Sequence, residues 1–211
     1  MDLTRVGAIG YKADAPANAL LVLAHGAGAG QQHPFMVSVA RLLSGKGISV
    51  VTFDFPYMRE RRKVPDKAPA LESAFREVIA VAREWASGVP LLIGGKSMGG
   101  RMATHLAAQQ LDELTGVVVF GYPLHPPGTP DQPRTAHLPS ITAPMLIVQG
   151  ERDTFGTPDE LRPVIQTMTA QVTLHVVAKG DHSLSVRSQK RDETLAEVAN
   201  VVVGWANNVR M

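Results

Sequence analysis

Pro90-Leu91-Leu92-Ile93 runs directly into Gly94-Gly95-Lys96-Ser97-Met98-Gly99-Gly100, and the reading of this stretch decides the fold. The apolar run lacks polar alternation, the pattern of a strand buried on both faces. Met98 to Leu111 reads as a helix. Between them, Gly95-x-Ser97-x-Gly99 has the spacing of a sharp strand-to-helix turn that carries a nucleophile. A serine on such a turn sits in a strained backbone conformation, and only small neighbours fit beside it. The turn exposes the hydroxyl near a helix N-terminus and makes the Met98 N–H a candidate oxyanion donor.

The same alternation extends in both directions. Ala19 to Ala24, Ile48 to Phe53, Gly116 to Phe120, Pro144 to Val148 and Val172 to Val177 are further strand candidates. His175 interrupts the last run and moves that strand toward a sheet edge. Pro34 to Ser44, Ala70 to Ser87, Pro158 to Thr169 and Lys190 to Asn207 are helix candidates. Leu71, Phe75, Val78, Ile79 and Ala82 share one face of the second of these. Thr157 before Pro158, with Glu160 three positions on, has the pattern of a capped helix start. Repeated strand-helix-strand units imply an α/β fold: a mostly parallel sheet of six or seven strands, helices on both faces, one domain over residues 1–211. Ligands of such sheets bind beyond the carboxyl ends of the strands, so chemistry is sought just after each apolar run.

Three strand ends matter besides the Ser97 turn. After Ala24 comes His25-Gly26-Ala27-Gly28-Ala29-Gly30, a turn that can supply a second oxyanion donor, Ala27 first and Gly28 second. His25 reads as a residue that holds this loop. After Val148, Gln149-Gly150-Glu151-Arg152-Asp153 brings up an acid, and after Val177, Lys179-Gly180-Asp181-His182 brings up an imidazole. The order Ser97, Asp153, His182 is that of a nucleophile, acid and base triad on an α/β scaffold. His182 would move the serine proton and Asp153 would orient His182. Glu151 is the substitute acid if the turn is shaped differently; Asp181 and Asp54 are weaker competitors. The remaining histidines lack a matching strand-end position, and His105 reads as a surface or packing residue.

Two connections are long. Phe55 to Pro69 carries Arg59, Arg61, Arg62, Lys63 and Lys67, and Gly121 to Ser140 carries six prolines. Both are expected to shape the cleft, the second as a stiff wall. The basic run is either a solvated loop or an overhang that favours anionic substrates. Arg101, one turn beyond Ser97, either pairs with an acidic loop residue or meets the substrate.

Composition limits the alternatives. The chain has 211 residues, 45% hydrophobic and 19% charged, as an ordinary folded protein does. With Cys 0, disulfides, thiolate metal sites and cysteine nucleophiles are excluded. A net charge of +2 and 5% aromatic content give no case for nucleic acid. The apolar runs are too short for a membrane span, and Met1-Asp2-Leu3-Thr4-Arg5 is not the start of a signal peptide, so a cytoplasmic location is expected. Gly95-Lys96-Ser97 imitates the end of a phosphate loop, but Pro90 stands where the first glycine is required. Gly26-x-Gly28 imitates a dinucleotide turn, but Gln31 occupies the third glycine position. No metal or organic cofactor is implied.

His25-Gly26, Gly95-x-Ser97-x-Gly99, Asp153 and His182, in that order, resemble the α/β-hydrolase superfamily from about Leu20 to the C-terminal helix. Size and lack of a cap resemble the small dienelactone-hydrolase-like group, whose dienelactone enzymes use a cysteine that this chain lacks. His25-Gly26-Ala27-Gly28, Gly95-Lys96-Ser97-Met98-Gly99-Gly100-Arg101, Arg152-Asp153-Thr154-Phe155-Gly156 and Gly180-Asp181-His182-Ser183 are more similar to a small hydrolase-like family with testis-expressed and chromatin-complex-associated members. The resemblance implies a cap-less α/β-hydrolase fold. With the triad pattern, it leads to the expectation of a serine hydrolase acting on a small-molecule acyl substrate such as a carboxylic ester, thioester or lactone. A binding or scaffold protein on the same fold, and an acyltransferase or perhydrolase with the same triad, stand as alternatives.

Overall fold

The computed structural model describes residues 2–14 and 16–209. Seven strands form one sheet: β1 (Ala8–Tyr11), β2 (Ala19–Ala24), β3 (Ile48–Phe53), β4 (Leu91–Lys96), β5 (Leu114–Phe120), β6 (Met145–Gly150) and β7 (Val172–Val177). The order is β1-β3-β2-β4-β5-β6-β7, with β1 antiparallel to β3 and every other pair parallel. The helices are α1 (Pro34–Ser44), α2 (Pro56–Arg59), α3 (Ala68–Trp85), α4 (Met98–Ala108), α5 (Pro158–Ile165) and α6 (Arg191–Asn208). Among the described residues no helix is long and apolar enough to cross a membrane.

The continuous apolar runs fold as strands covered on both faces. In β2, Leu20, Val22 and Ala24 join one core with α3, α4 and α5, while Ala19, Leu21 and Leu23 join the other with α1 and α6. Each buried Leu or Val contributes about 1.5–3 kcal/mol of transfer free energy. The interrupted run at His175 is β7, which forms one edge of the sheet. Among the described residues no cap is inserted between the strands.

Several boundaries differ from the sequence reading, for identifiable reasons. β1 is an addition: four residues that include Gly10 leave no apolar run to read. β4 continues through both glycines to Lys96, because Gly94 and Gly95 stay in register with Val118 and Val119 of β5. α3 begins at Ala68, since Pro69 fits the first helical turn. α4 stops at Ala108, and Gln110 then takes a left-handed φ of 53°. α5 ends at Ile165, four residues before the expected end, in a helix already weakened by Pro163, which has no N–H to donate. Its N-terminus carries the expected capping box between Thr157 and Glu160.

The topology sets the position of the site. From β2 the chain moves outward to β3, then crosses back to β4 on the other side of β2. The carboxyl ends of β2 and β4 therefore lie side by side, Ala24 opposite Gly95, at the point where the strand order reverses. Gly150 of β6 is opposite Val177 of β7, so the loops that follow these strands also emerge together.

Candidate active site

Ser97 adopts φ 52° and ψ −115°, a strained conformation for a residue with a Cβ. Close packing around the turn holds it there. A Cβ at Gly99 would collide with the carbonyl oxygens of Ala24 and His25, and one at Gly95 with the backbone of Gly99 and Gly100. The Ser97 N–H donates to the Phe120 carbonyl at 3.0 Å, which ties the turn to β5.

The three residues expected from the strand ends meet. The Ser97 Oγ lies 2.8 Å from His182 Nε2, and His182 Nδ1 lies 2.7 Å from Asp153 Oδ2. Asp153 is buried at 1% exposure, and its Oδ1 accepts the Phe155 N–H at 2.8 Å. A buried carboxylate facing Nδ1 fixes the proton on that nitrogen and leaves the Nε2 lone pair toward the serine hydroxyl. Phe155 stacks on the His182 ring with centroids 4.1 Å apart.

The competing acids are engaged elsewhere. Glu151 accepts the Lys179 N–H, Asp181 accepts the N–H groups of Ser183 and Ser185, and Asp54 holds Gln31. His105 meets Glu72, and His125 meets Glu160.

Around the Gly26 turn, His25 is fully buried. Its Nε2 accepts the Phe55 N–H at 3.1 Å, so its Nδ1 carries the proton and donates to the Gly26 carbonyl at 2.8 Å. Burial pulls the His25 pKa down, in keeping with a neutral ring. The Gly28 N–H donates to the Tyr57 hydroxyl at 3.3 Å. Among the described residues the N–H groups of Ala27 and Met98 have no acceptor, and both residues line the cavity beside Ser97. Between the two second-donor candidates, Ala27 has the open N–H.

That cavity has a volume of about 480 Å³. Phe35, Met36 and Phe155 give it apolar walls, and Pro123 and Arg134 bring in the proline-rich loop as expected. The other loop does not take part: no residue of 55–69 lines the cavity. Phe55 and Tyr57 turn into the core, and Arg62 is tied to Glu60 and Asp66. The basic run is therefore a surface loop whose buried end braces the Gly26 turn.

Two contributors escaped the sequence reading. Gln149, the last residue but one of β6, is fully buried; its Nε2 is 2.9 Å from Asp153 Oδ2 and 2.7 Å from the Gly156 carbonyl, and its Oε1 accepts the Tyr122 N–H. Lys96 donates from Nζ to the His182 carbonyl at 2.6 Å, and burial holds its pKa down to about 8. The sequence signals for them are a polar residue closing an apolar strand and a lysine directly before the serine.

A family model described as an alpha/beta hydrolase domain matches residues 17–209. Among solved structures, the chain is similar to an esterase domain from Rhodothermus marinus, at 16% identity and TM-score 0.69, over 95% of this chain and 97% of that one. It is also similar to a lidless a/b serine hydrolase from Xanthomonas campestris, at 18% identity and TM-score 0.71, over 94% and 86%. A dienelactone hydrolase from Anabaena variabilis is similar at 19% identity and TM-score 0.70, over 94% and 89%. At these identities the likeness is one of fold.

Proposed function

We propose that this chain, which belongs to the alpha/beta hydrolase domain family, is a serine hydrolase that cleaves small carboxylic esters through an acyl-enzyme on Ser97. The observation that carries the reading is the unbroken chain from Ser97 Oγ through His182 to Asp153, at 2.8 and 2.7 Å. Ser97 Oγ attacks the ester carbonyl while His182 Nε2 takes its proton. The N–H groups of Met98 and Ala27 hold the developing oxyanion, each such donor typically being worth about 100- to 1000-fold in rate. The tetrahedral intermediate collapses, the C–O bond to the alcohol breaks, and the alcohol leaves with the proton from His182. Water then gives a proton to His182 and attacks the acyl-enzyme; the acid departs and Ser97 recovers its proton. Asp153 stays ionised throughout, keeping Nδ1 protonated and stabilising the imidazolium. A cavity of about 480 Å³ suits a small acyl group. The esterase domain and the lidless serine hydrolase on the same fold are consistent with this reading.

A fluorophosphonate probe tests it. Labelling is expected at Ser97, and Ser97→Ala is expected to remove both labelling and most ester turnover. Labelling at another residue, or unchanged turnover in the variant, would overturn the assignment. A small residual rate is expected, because an intact oxyanion hole still assists water.

A further inference from the structure

We infer that the cavity beside Ser97 selects esters that carry a second, ionised carboxylate, and that Arg101 together with Arg134 receives that group. The inference rests on the acyl chemistry proposed at Ser97 and names its substrate class.

Four cationic residues line the cavity, Lys96, Arg101, Arg134 and Arg191, with no Asp or Glu among the lining. The whole chain carries a formal charge of only +2, so this is a local excess. Among the described residues, no carboxylate comes within ion-pair distance of Arg101 or Arg134. Arg62, Arg83 and Arg162 all have such partners. The choice left open by the sequence for Arg101, an acidic loop residue or the substrate, thus falls to the substrate.

Arg101 stands one helical turn beyond Ser97, its N–H donating to the Ser97 carbonyl at 2.9 Å. Four residues of helix rise about 6 Å, so the two backbones are one turn apart, and both residues line the same cavity. The Arg101 Nε is buried and has no hydrogen-bond partner. The covered Nε itself is out of a ligand's reach, so the terminal guanidinium nitrogens are the donors offered to the cavity, and an anionic acceptor there offsets part of the cost of holding the unpaired group. Arg134 reaches the same cavity from the proline-rich loop, and burial together with the charge of Arg101 lowers its pKa. Two guanidinium groups of like sign that face one cavity are relieved by an anion, and their planar forks match a carboxylate. Phe35, Met36 and Phe155 supply apolar surface for the chain that joins the carboxylate to the ester.

The test uses two matched pairs of esters. Monoethyl adipate against its ω-amide puts the carboxylate on the acyl side; 4-acetoxybenzoate against 4-acetoxybenzamide puts it on the alcohol side. In at least one pair, kcat/KM is expected to favour the carboxylate by about tenfold or more, and the ratio to fall as salt rises. Arg101→Met and Arg134→Met are each expected to bring the ratio to within about twofold of one, while Arg101→Lys keeps part of it. The ratio is measured within each variant, so a general loss of activity does not affect it. Adipate itself gives a readout free of turnover: it should raise the Tm of the wild type and not of Arg101→Met. Ser97-dependent turnover of both members of each pair without preference would overturn the carboxylate site and leave the hydrolase reading standing. So would a preference that Arg101→Met leaves unmoved. Absence of Ser97-dependent turnover would sink the hydrolase reading, and a null Tm response to adipate would then dispose of the site as well.

Discussion

Lys96 Nζ donates to the backbone carbonyl oxygen of His182 at 2.6 Å, joining the residue before the serine to the loop that holds the histidine. The two residues are far apart in sequence, and this bond helps fix where the imidazole stands relative to Ser97. Lys96 touches no reacting atom in the proposed chemistry, so it is a positioning residue.

Lys96→Met is expected to lower kcat about tenfold with little change in KM, because a misplaced base slows the chemical step. Stability should move the other way. Burial holds the Lys96 pKa down to about 8, below the ordinary value of 10.5. Below pH 8 the native state bears the full cost of the buried charge; between about 8 and 10.5 the unfolded chain binds more protons, and wild-type stability gains with pH. Denaturant melts at pH 7 should find the variant at least as stable as the wild type, with the relative gain of the wild type appearing only above pH 8. A large loss of stability with an unchanged kcat would make Lys96 a packing residue instead.

His25→Ala is expected to cost about 2–4 kcal/mol, since it leaves a cavity and strips the buried Phe55 N–H of its acceptor. Ester turnover should fall as well, because the ring holds the Gly26 carbonyl and with it the turn that presents Ala27. Urea unfolding measures the first effect and initial rates the second; a cost under about 1 kcal/mol would show that the ring does not brace the turn.

Gln149→Leu preserves volume but removes every polar contact of the side chain. The Tyr122 N–H loses its acceptor and Asp153 loses one of its donors. Each buried group left unpaired costs about 1–3 kcal/mol. A kcat reduced about tenfold, with KM nearly constant, is expected from a less firmly held Asp153. Wild-type rates from a well-folded variant would remove Gln149 from the support of the triad.

His137 supplies a pH dependence. Burial, with the charges of His105 and Arg101, pulls its pKa to about 4, and its Nε2 lies 2.8 Å from the Thr104 hydroxyl. A folded-state pKa below the ordinary 6.5 means the unfolded chain takes up the proton first. Stability from the neutral ring is therefore complete above about pH 6.5 and lost as pH falls toward 4. Melts across that window should show a shallower decline for His137→Gln than for the wild type. Equal slopes would assign the acid sensitivity to other groups.

The legibility of the fold follows from burial. A parallel sheet covered on both faces must be built from continuous apolar runs, so six of the seven strands could be read directly, while the four residues of β1 offered no run. The helix ends were less legible, because they depend on local events: Pro69 accepted into a first turn, or Gln110 in the left-handed region.

For the site, sequence by itself picked out Ser97, Asp153 and His182 as side chains that meet, and excluded thiolate chemistry. Strand ends on one sheet edge constrain what can meet, a serine in a tight glycine turn has few uses, and a chain without cysteine has no thiolate. Tertiary structure alone decided the rest. It separated Ala27 from Gly28 by giving the Gly28 N–H to Tyr57, turned the basic run at Arg59 away from the cavity, and left Arg101 without an acid. It also brought Lys96 to His182 and Gln149 to Asp153. Apart from Gln149 and Asp153, which are four positions apart, these are choices of partner across long sequence separations; all are settled by side-chain direction and close packing, and no local pattern encodes either.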